Sequence, residues 1–359
     1  MGITQLNSYL NKMCKNNNAC MSTISLSSLK NKKMVVDIQM YLYGFLCNER
    51  TTLMNEVYRM CAIFSQCEIL PLFVFDNRNQ NQCSNKLCRR RLRKKQRNKA
   101  MEQLGKYLMD TSSTDGCDAA ETENPITIIK PSKHEIKMLK RQIVRLTDVQ
   151  IKQVKNIILS FGFTWVDAKE EADEVCAYAA LTMKSCGCLS DDTDMIAYGC
   201  PNIYRNLNLD DQTVNWINLP NVLKQLGMTQ YELRQICALA SNDYNCDVVD
   251  APSISQLMEH FCKYKNDTVS QETYENFYEW FLQMNRNKNT THVDDKNDLD
   301  DKDKPENVKC DLDTRFKQIY DMFDIYARPD IKFKLTFERK NVNKPVLKSL
   351  MEQEGFYYI

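Results

Sequence analysis

Short apolar runs in this chain end in, or open onto, carboxylates. Met34-Val35-Val36 ends at Asp37, and Leu72-Phe73-Val74-Phe75 ends at Asp76. Phe163-Thr164-Trp165-Val166 leads into Glu171-Ala172-Asp173, and the uncharged run Cys186 to Ser190 leads into Asp191-Asp192-Thr193-Asp194. Apolar runs without polar alternation read as strands buried on both faces of a parallel sheet. Between the last two acidic clusters, Val175 to Met183 reads as a buried helix. Strands alternating with helices give an α/β fold. In such folds sites gather at the carboxyl ends of the strands, so the acids share one edge. Uncompensated carboxylates there repel and raise one another's pKa values. A hard divalent cation relieves that repulsion, and Mg²⁺ prefers oxygen ligands. The pattern points to a carboxylate-walled Mg²⁺ site for phosphodiester chemistry.

The helical period of 3.6 places other elements. A short helix is expected over 3–13, with Leu6, Tyr9 and Leu10 on one side. Tyr41 to Gln66 reads as one helix, its apolar positions running from Leu42 through Leu53 and Val57 to Phe64. Lys86 to Lys99 then holds nine basic residues and no acidic one. Such a run is a solvated face, a nuclear-import patch or a phosphate-gripping segment; its place directly after an acidic strand end favours the last. Residues 110–125 are small, polar and acidic and read as a mobile loop. The helical period returns from Lys133 to Ser160, so 86–160 resembles two inserted helices with a loose connection. Asn202-Ile203-Tyr204 is strand-like. Thr229 is placed to cap a helix from Tyr231 to Leu239, which delivers Asp243. Residues 251–284 are amphipathic and helical. Residues 285–309, rich in Asp, Asn and Lys, read as a disordered acidic linker. Residues 311–359 read as a helix, an extended Ile331 to Phe337 and a closing helix over 344–355.

The net charge is only +1, so the local distribution has to carry any nucleic-acid argument. The 16 cysteines form no CxxC pair, and Cys61, Cys176 and Cys237 lie inside apolar runs as small core residues. Free thiols place the chain in an intracellular reducing compartment. Cys186-Gly187-Cys188 invites a zinc reading, but there are only three histidines and none is near it. No signal pattern opens the chain and no apolar run approaches a membrane span, so no membrane association is expected.

Taken together, these residues resemble the flap endonuclease family of structure-specific 5′ nucleases, in a divergent branch that reads as viral. Met1-Gly2-Ile3 followed by Leu6 is like the family's start. Val35-Val36-Asp37, with Tyr43 six residues later, is like its first acidic strand. Pro71 to Asp76 is like its second. Val154 to Phe163, leading into Glu171-Ala172-Asp173-Glu174, resembles the entry to its nuclease centre. Ser190-Asp191-Asp192-Thr193-Asp194 with Tyr198-Gly199-Cys200-Pro201 resembles its most diagnostic motif, and Ser241-Asn242-Asp243-Tyr244 resembles its Gly-Ser-Asp-Tyr. Each match alone is weak; the order and spacing of seven acids are specific.

The resemblance implies a PIN-like nuclease core: a central, mostly parallel sheet flanked by helices, with a helical arch insertion and a helical C-terminal part. It divides the chain into an N-terminal nuclease region with a basic arch helix (1–109), a flexible arch loop (110–132), an internal nuclease region (133–227), a divergent helix-two-turn-helix (228–284), the linker (285–309) and a C-terminal segment packing on the core (310–359). It implies two Mg²⁺ ions, replaceable by Mn²⁺, held by Asp37, Asp76, Glu171, Asp173, Asp192, Asp194 and Asp243. Two such metals, roughly 4 Å apart, activate a water and stabilise the leaving oxygen. Tyr43 stacks on a base, and Gly2 lies near the site. In the family a Lys and an Arg seven residues apart touch the scissile phosphate. Here the ungapped register gives Cys83 and Arg90, and a slip of three gives Lys86 and Arg93; Arg90 is favoured, with Lys86 close enough to substitute. Arg89, Arg91, Arg93 and Lys94 complete the nucleic-acid-binding set. The implied partner is branched or single-stranded DNA, cut as endonuclease or exonuclease in replication, repair or recombination. The implied place is the nucleus or a viral replication site in the cytoplasm, and the implied state a monomer.

Two departures from the family stand out. No glycine occurs between Gly227 and Gly355, so the stretch Val248 to Ile254 lacks the glycine-rich hairpin that binds K⁺ and duplex phosphates. The tail Leu350 to Phe356 resembles the last core helix rather than a sliding-clamp motif. Two other readings stay open. An RNA-cleaving nuclease of the same fold, degrading host mRNA, differs by a contact to the 2′-OH. A non-catalytic nucleic-acid-binding scaffold has no need of seven acids in order, none of them neutralised here.

Overall fold

The structure is a computed structural model, and it describes residues 2–48, 50–77, 87–112, 133–169, 171–183, 187–245, 251–290, 307–328, 335–353 and 355. Helix α1 (Leu6–Met13) turns Leu6 and Leu10 inward. Strand β1 (Met21–Ser25) and a 3-10 turn (Leu26–Leu29) precede β2 (Lys33–Asp37). The single helix expected up to Gln66 is two, α2 (Ile38–Leu46) and α3 (Leu53–Gln66). The apolar period runs through the break, but Thr52 is extended and its hydroxyl accepts from the Asn55 amide, which starts a new helix. Strand β3 (Leu70–Phe75) delivers Asp76. Helices α4 (Leu87–Ser112), α5 (Lys133–Ile143) and α6 (Asp148–Ser160) follow, three where two were expected. A capping box between Thr147 and Gln150 opens α6. Unlike α4 and α5, which pack on each other, α6 belongs to the body: Ile151, Val154, Ile157 and Ile158 are buried beside α3.

Next come β4 (Thr164–Asp167), α7 (Ala172–Thr182), the two-residue β5 (Cys188–Leu189), α8 (Asp194–Tyr198), β6 (Asn202–Asn208) and β7 (Thr213–Asn218). Helices α9 (Leu219–Leu226) and α10 (Gln230–Leu239) follow, the latter opened by the expected Thr229 cap. The amphipathic stretch resolves into α11 (Ile254–Asn266), α12 (Thr268–Thr273) and α13 (Phe277–Thr290). Helices α14 (Asn307–Phe323) and α15 (Lys344–Gln353) close the chain. The expected linker is thus helical at both ends, and its middle, 291–306, lies outside the described residues. So do 113–132 of the arch loop, 246–250 and 331–334.

The strands form one sheet in the order β1-β7-β6-β5-β2-β3-β4. β7 runs antiparallel to β6 and β1, and the central pairs are parallel. From β2 the chain winds outward through β3 to β4, then returns to the other side of β2 as β5. That reversal opens a crevice at the carboxyl ends of β5 and β2. Side chains alternate between two cores. Val35, Leu72 and Val74 face one that includes α1, α7 and α10, whereas Val36, Phe73 and Phe75 face one that includes α2, α3 and α6. The β4 edge is covered by the C-terminal segment: Thr164 Oγ1 donates to the Thr336 carbonyl at 3.1 Å and Lys340 N to the Gly162 carbonyl at 2.8 Å.

Candidate metal centre

Asp37 is the last residue of β2 and is buried. The pairing of Val36 with Leu189 sets the next residue of β5's chain, Ser190, beside it, and Ser190 Oγ donates to Asp37 Oδ2 at 3.0 Å. The same hydroxyl accepts from the Asp192 amide at 3.2 Å. Asp192 Oδ1 in turn accepts from the Asp194 amide at 3.1 Å. One short loop after β5 is thereby folded so that both acids sit on the crevice. From the neighbouring strand end, Asp76 Oδ1 accepts from the Ala172 amide at 2.8 Å and satisfies the start of α7. Glu171 is the N-cap residue of α7 and Asp173 lies in its first turn, where the helix dipole favours negative charge.

These elements bring Asp173, Asp192 and Asp194, all buried, to a common point: each offers a carboxylate oxygen within 4.8 Å of the others. Asp37 feels the charges of this group. Burial, and then the charges of Asp173 and Asp76, push its carboxyl well above the usual carboxylate range, against the lowering bond from Ser190 and with Asp192 adding to the rise. Asp243, after α10, joins from the far side, where its Oδ2 accepts from the Gly2 amide at 2.9 Å. Gly2 has φ +79, and a Cβ there would collide with Asp192 Oδ1, Asp194 Oδ1 and Thr193 Oγ1. Residues 2 and 3 are therefore packed closely against Asp192, Thr193 and Asp194. Tyr43 on α2 stands 41% exposed, open to a stacking partner. Lys94 is exposed on α4. Arg89, Arg90, Arg91 and Arg93 lie on α4, but their side chains fall outside the described residues, as does Lys86 entirely.

The donor set is made of carboxylate oxygens alone, which suits a hard divalent cation such as Mg²⁺ or Mn²⁺. Cys176, Cys188 and Cys200 are buried in the same core, where burial pushes the Cys176 and Cys200 thiols well up.

Sequence reasoning missed the groups that hold the acids. Thr193 Oγ1 accepts from the Ile3 amide at 2.7 Å and donates to the Ile3 carbonyl at 3.3 Å. Asp191 turns away from the centre: its Oδ1 accepts from Tyr41 Oη at 3.0 Å and from the Asn206 amide at 2.7 Å. Arg205, buried, donates to the Asp191 carbonyl and, at 2.9 Å, to Asn7 Oδ1. The one available signal was the alternation of hydroxyls with acids in Ser190-Asp191-Asp192-Thr193-Asp194.

Comparison with known proteins agrees with this geometry. The XPG N-terminal domain family matches residues 1–98 and the XPG I-region family matches residues 162–243. Flap endonuclease 1 of Sulfurisphaera tokodaii is 26% identical over 268 residues, covering 67% of this chain and 70% of that protein. Flap endonuclease 1 of Mus musculus is 23% identical over 257 residues, and the match spans 67% of this chain but 61% of the mouse protein. In three dimensions the catalytic core of Rad2 in complex with DNA substrate superposes with a TM-score of 0.56 at 19% identity, over 99% of this chain and 96% of that one. The two family segments between them contain all seven acids, and the sheet that carries them has the Rad2 fold: the chain belongs to the XPG/flap endonuclease family.

Proposed function

We propose that this protein is a divalent-metal-dependent, structure-specific 5′ nuclease that hydrolyses DNA phosphodiester bonds at branched or single-stranded junctions. The reading rests above all on the meeting of the buried Asp173, Asp192 and Asp194 at one point, with Asp37 close enough to feel the charges of Asp173, Asp76 and Asp192. Asp37, Asp76, Glu171, Asp173, Asp192, Asp194 and Asp243 would hold two Mg²⁺ ions, with Mn²⁺ as a substitute. When bound, the ions supply a nucleophilic water and charge stabilisation of the leaving oxygen. The chain's own groups do the rest. Ser190 and the Gly2 amide donate to Asp37 and Asp243, and Thr193 ties the loop between Asp192 and Asp194 to Ile3. Tyr43 offers a ring to a base beside the crevice. The basic helix α4, with α5, forms the arch, and Arg90 or Lys86 neutralises the phosphate to be cut. The proposed domain division keeps 228–284 as a divergent helix-two-turn-helix region and 310–359 as a C-terminal segment packing on the core. No helix among the described residues is long and apolar enough to cross a membrane. The test is cleavage of labelled 5′-flap, nicked, gapped and Holliday-junction DNA, and of RNA, with and without Mg²⁺. Metal-dependent cutting of a branched DNA is expected. Equal or better cutting of RNA would move the reading to an RNA nuclease, and no cutting with bound metal would favour a scaffold.

A further inference from the structure

Two helices that carry Asp173 and Asp194, and a third that leads to Asp243, share one neighbour. Helix α14 and the 3-10 turn after it (Ile325–Ala327) pack against α7, α8 and α10. Phe323, fully buried at the end of α14, meets two tyrosines edge-on, with ring centroids 5.2 Å from Tyr198 and 5.8 Å from Tyr244. Tyr198 closes α8 one turn beyond Asp194, and Tyr244 directly follows Asp243. Asp324 pairs with Arg234 of α10 at 2.8 Å, while that guanidinium lies 5.5 Å from the Tyr320 ring. Arg328 then reaches α7, where Nη1 donates to Glu174 Oε1 at 2.7 Å. Glu174 is buried and directly follows Asp173. The pair is largely shielded from water, its side chains being 22% and 10% exposed, so its geometry is enforced more strongly than that of a surface pair. A single short segment, Tyr320 to Arg328, therefore touches the immediate surroundings of Asp173, Asp194 and Asp243.

We propose that Arg328 is a positioning residue for the metal centre: by holding Glu174, with Phe323 seated between Tyr198 and Tyr244, it sets the spacing among Asp173, Asp194 and Asp243. This rests on the metal-dependent reading given above. Carboxylates that share a cation must be held to within about 0.5 Å by the groups around them. Position and charge act in opposite directions here. Loss of the Arg328 charge alone draws a cation more tightly to the acidic edge, whereas loss of its grip on α7 spoils the ligand geometry and weakens binding. The double variant Glu174→Gln/Arg328→Met removes one charge of each sign, leaves the net charge unchanged and isolates position.

The experiment is calorimetric titration of the full chain with Mn²⁺, without nucleic acid, alongside thermal unfolding of the metal-free protein. The double variant is expected to bind Mn²⁺ roughly tenfold more weakly, in the range found when partners of metal-ligating residues are removed. Glu174→Asp, which keeps the charge and withdraws the carboxylate by one methylene, is expected to bind Mn²⁺ measurably more weakly than wild type, by less than the double variant. A pair that serves only stability lowers the thermal midpoint and leaves the affinity of the folded protein unchanged. Either variant, if folded and equal to wild type in Mn²⁺ affinity, overturns the proposal; if the double variant does not fold, Glu174→Asp decides. Absence of Mn²⁺ binding by the wild type overturns the metal reading and this proposal together.

Discussion

Asp194 is fully buried with Asp173 and Asp192 close by, whereas Lys94, Lys95 and Lys99 on α4 stand in water. Both regions concentrate one sign of charge, but their surroundings differ. At the acidic edge low polarisability magnifies every repulsion, so Asp37, Asp76, Asp192 and Asp243 each accept a hydrogen bond from a hydroxyl or an amide, and a cation changes the balance greatly. On α4 water and salt screen the repulsion within about 8–10 Å, and long side chains spread apart. The first arrangement is built for chemistry that tolerates little displacement. A screened run of this kind suits attraction that is strong at low salt and forgiving of position. Substitutions in the two regions should therefore fail in different ways.

The largest effect belongs to the acids. Asp192→Asn and Asp194→Asn are each expected to lower Mg²⁺-dependent cleavage by on the order of 10²-fold or more, as when one preorganised charge-stabilising group is removed. The carboxamide in Asp192→Asn keeps an oxygen for the Asp194 amide, so the loop survives. With one negative charge fewer near Asp37, the thermal midpoint of the metal-free protein should hold or rise. Metal-dependent cleavage surviving in the double variant would sink the assignment.

A smaller but sharper effect comes from Gly2→Ala. The substitution adds no charge and removes none, yet its Cβ meets oxygens of Asp192, Thr193 and Asp194 at a positive φ. Displacement of catalytic groups by about 1 Å costs up to about 10²-fold, and a loss between tenfold and that limit is expected in single-turnover cleavage. Normal rates in the Gly2→Ala variant would show that the acidic edge is more pliable than its hydrogen bonds imply.

How much of this contrast was legible in the sequence follows from the same physics. The acids were readable because Met34 to Val36 and Leu72 to Phe75 are buried on both faces, and an acid ending such a run has few other reasons to be there. Thr229 was readable because a capping box is a local signal. The strands β1 and β7 were not: Met21–Ser25 and Thr213–Asn218 lie at the sheet margin, half-exposed, with too little alternation to stand out. The break between α2 and α3 hid under a continuous apolar period. The network of Asp191 with Tyr41 and Arg205, and the pair of Glu174 with Arg328, join residues far apart in the chain, and pairing at such separation leaves no local trace.

The basic helix should respond to salt rather than to geometry. Neutralising Arg89, Arg90, Arg91 and Arg93 together should weaken nucleic-acid binding and flatten its salt dependence. The slope of log affinity against log salt should fall by roughly 0.7 to 0.9 for each phosphate no longer neutralised. Fluorescence anisotropy across a salt series reads the slope directly. An unchanged slope would mean that the run is only a solvated face, and the contrast with the acidic edge would lose its functional half.

The smallest expected effect concerns monovalent cations, and it asks whether any third charged region shares the work. The chain between Gly227 and Gly355 has no glycine, the residue that adopts a positive φ most readily. Pro252 lacks an amide donor, and the Asp250 charge opposes a phosphate beside it. At the start of α11 the Ser253 hydroxyl is already engaged with the Gln256 amide in a capping box. With few free donors, this segment should contribute little to holding duplex, leaving the arch to carry the attraction. K⁺ and Na⁺ at one concentration then differ only as screening ions, and cleavage of one flap substrate in KCl and in NaCl should agree to within roughly twofold. A strong preference for KCl, abolished by Ser253→Ala, would show instead that a cation site forms here without glycines, and that duplex is gripped at this helix start as well as by the arch.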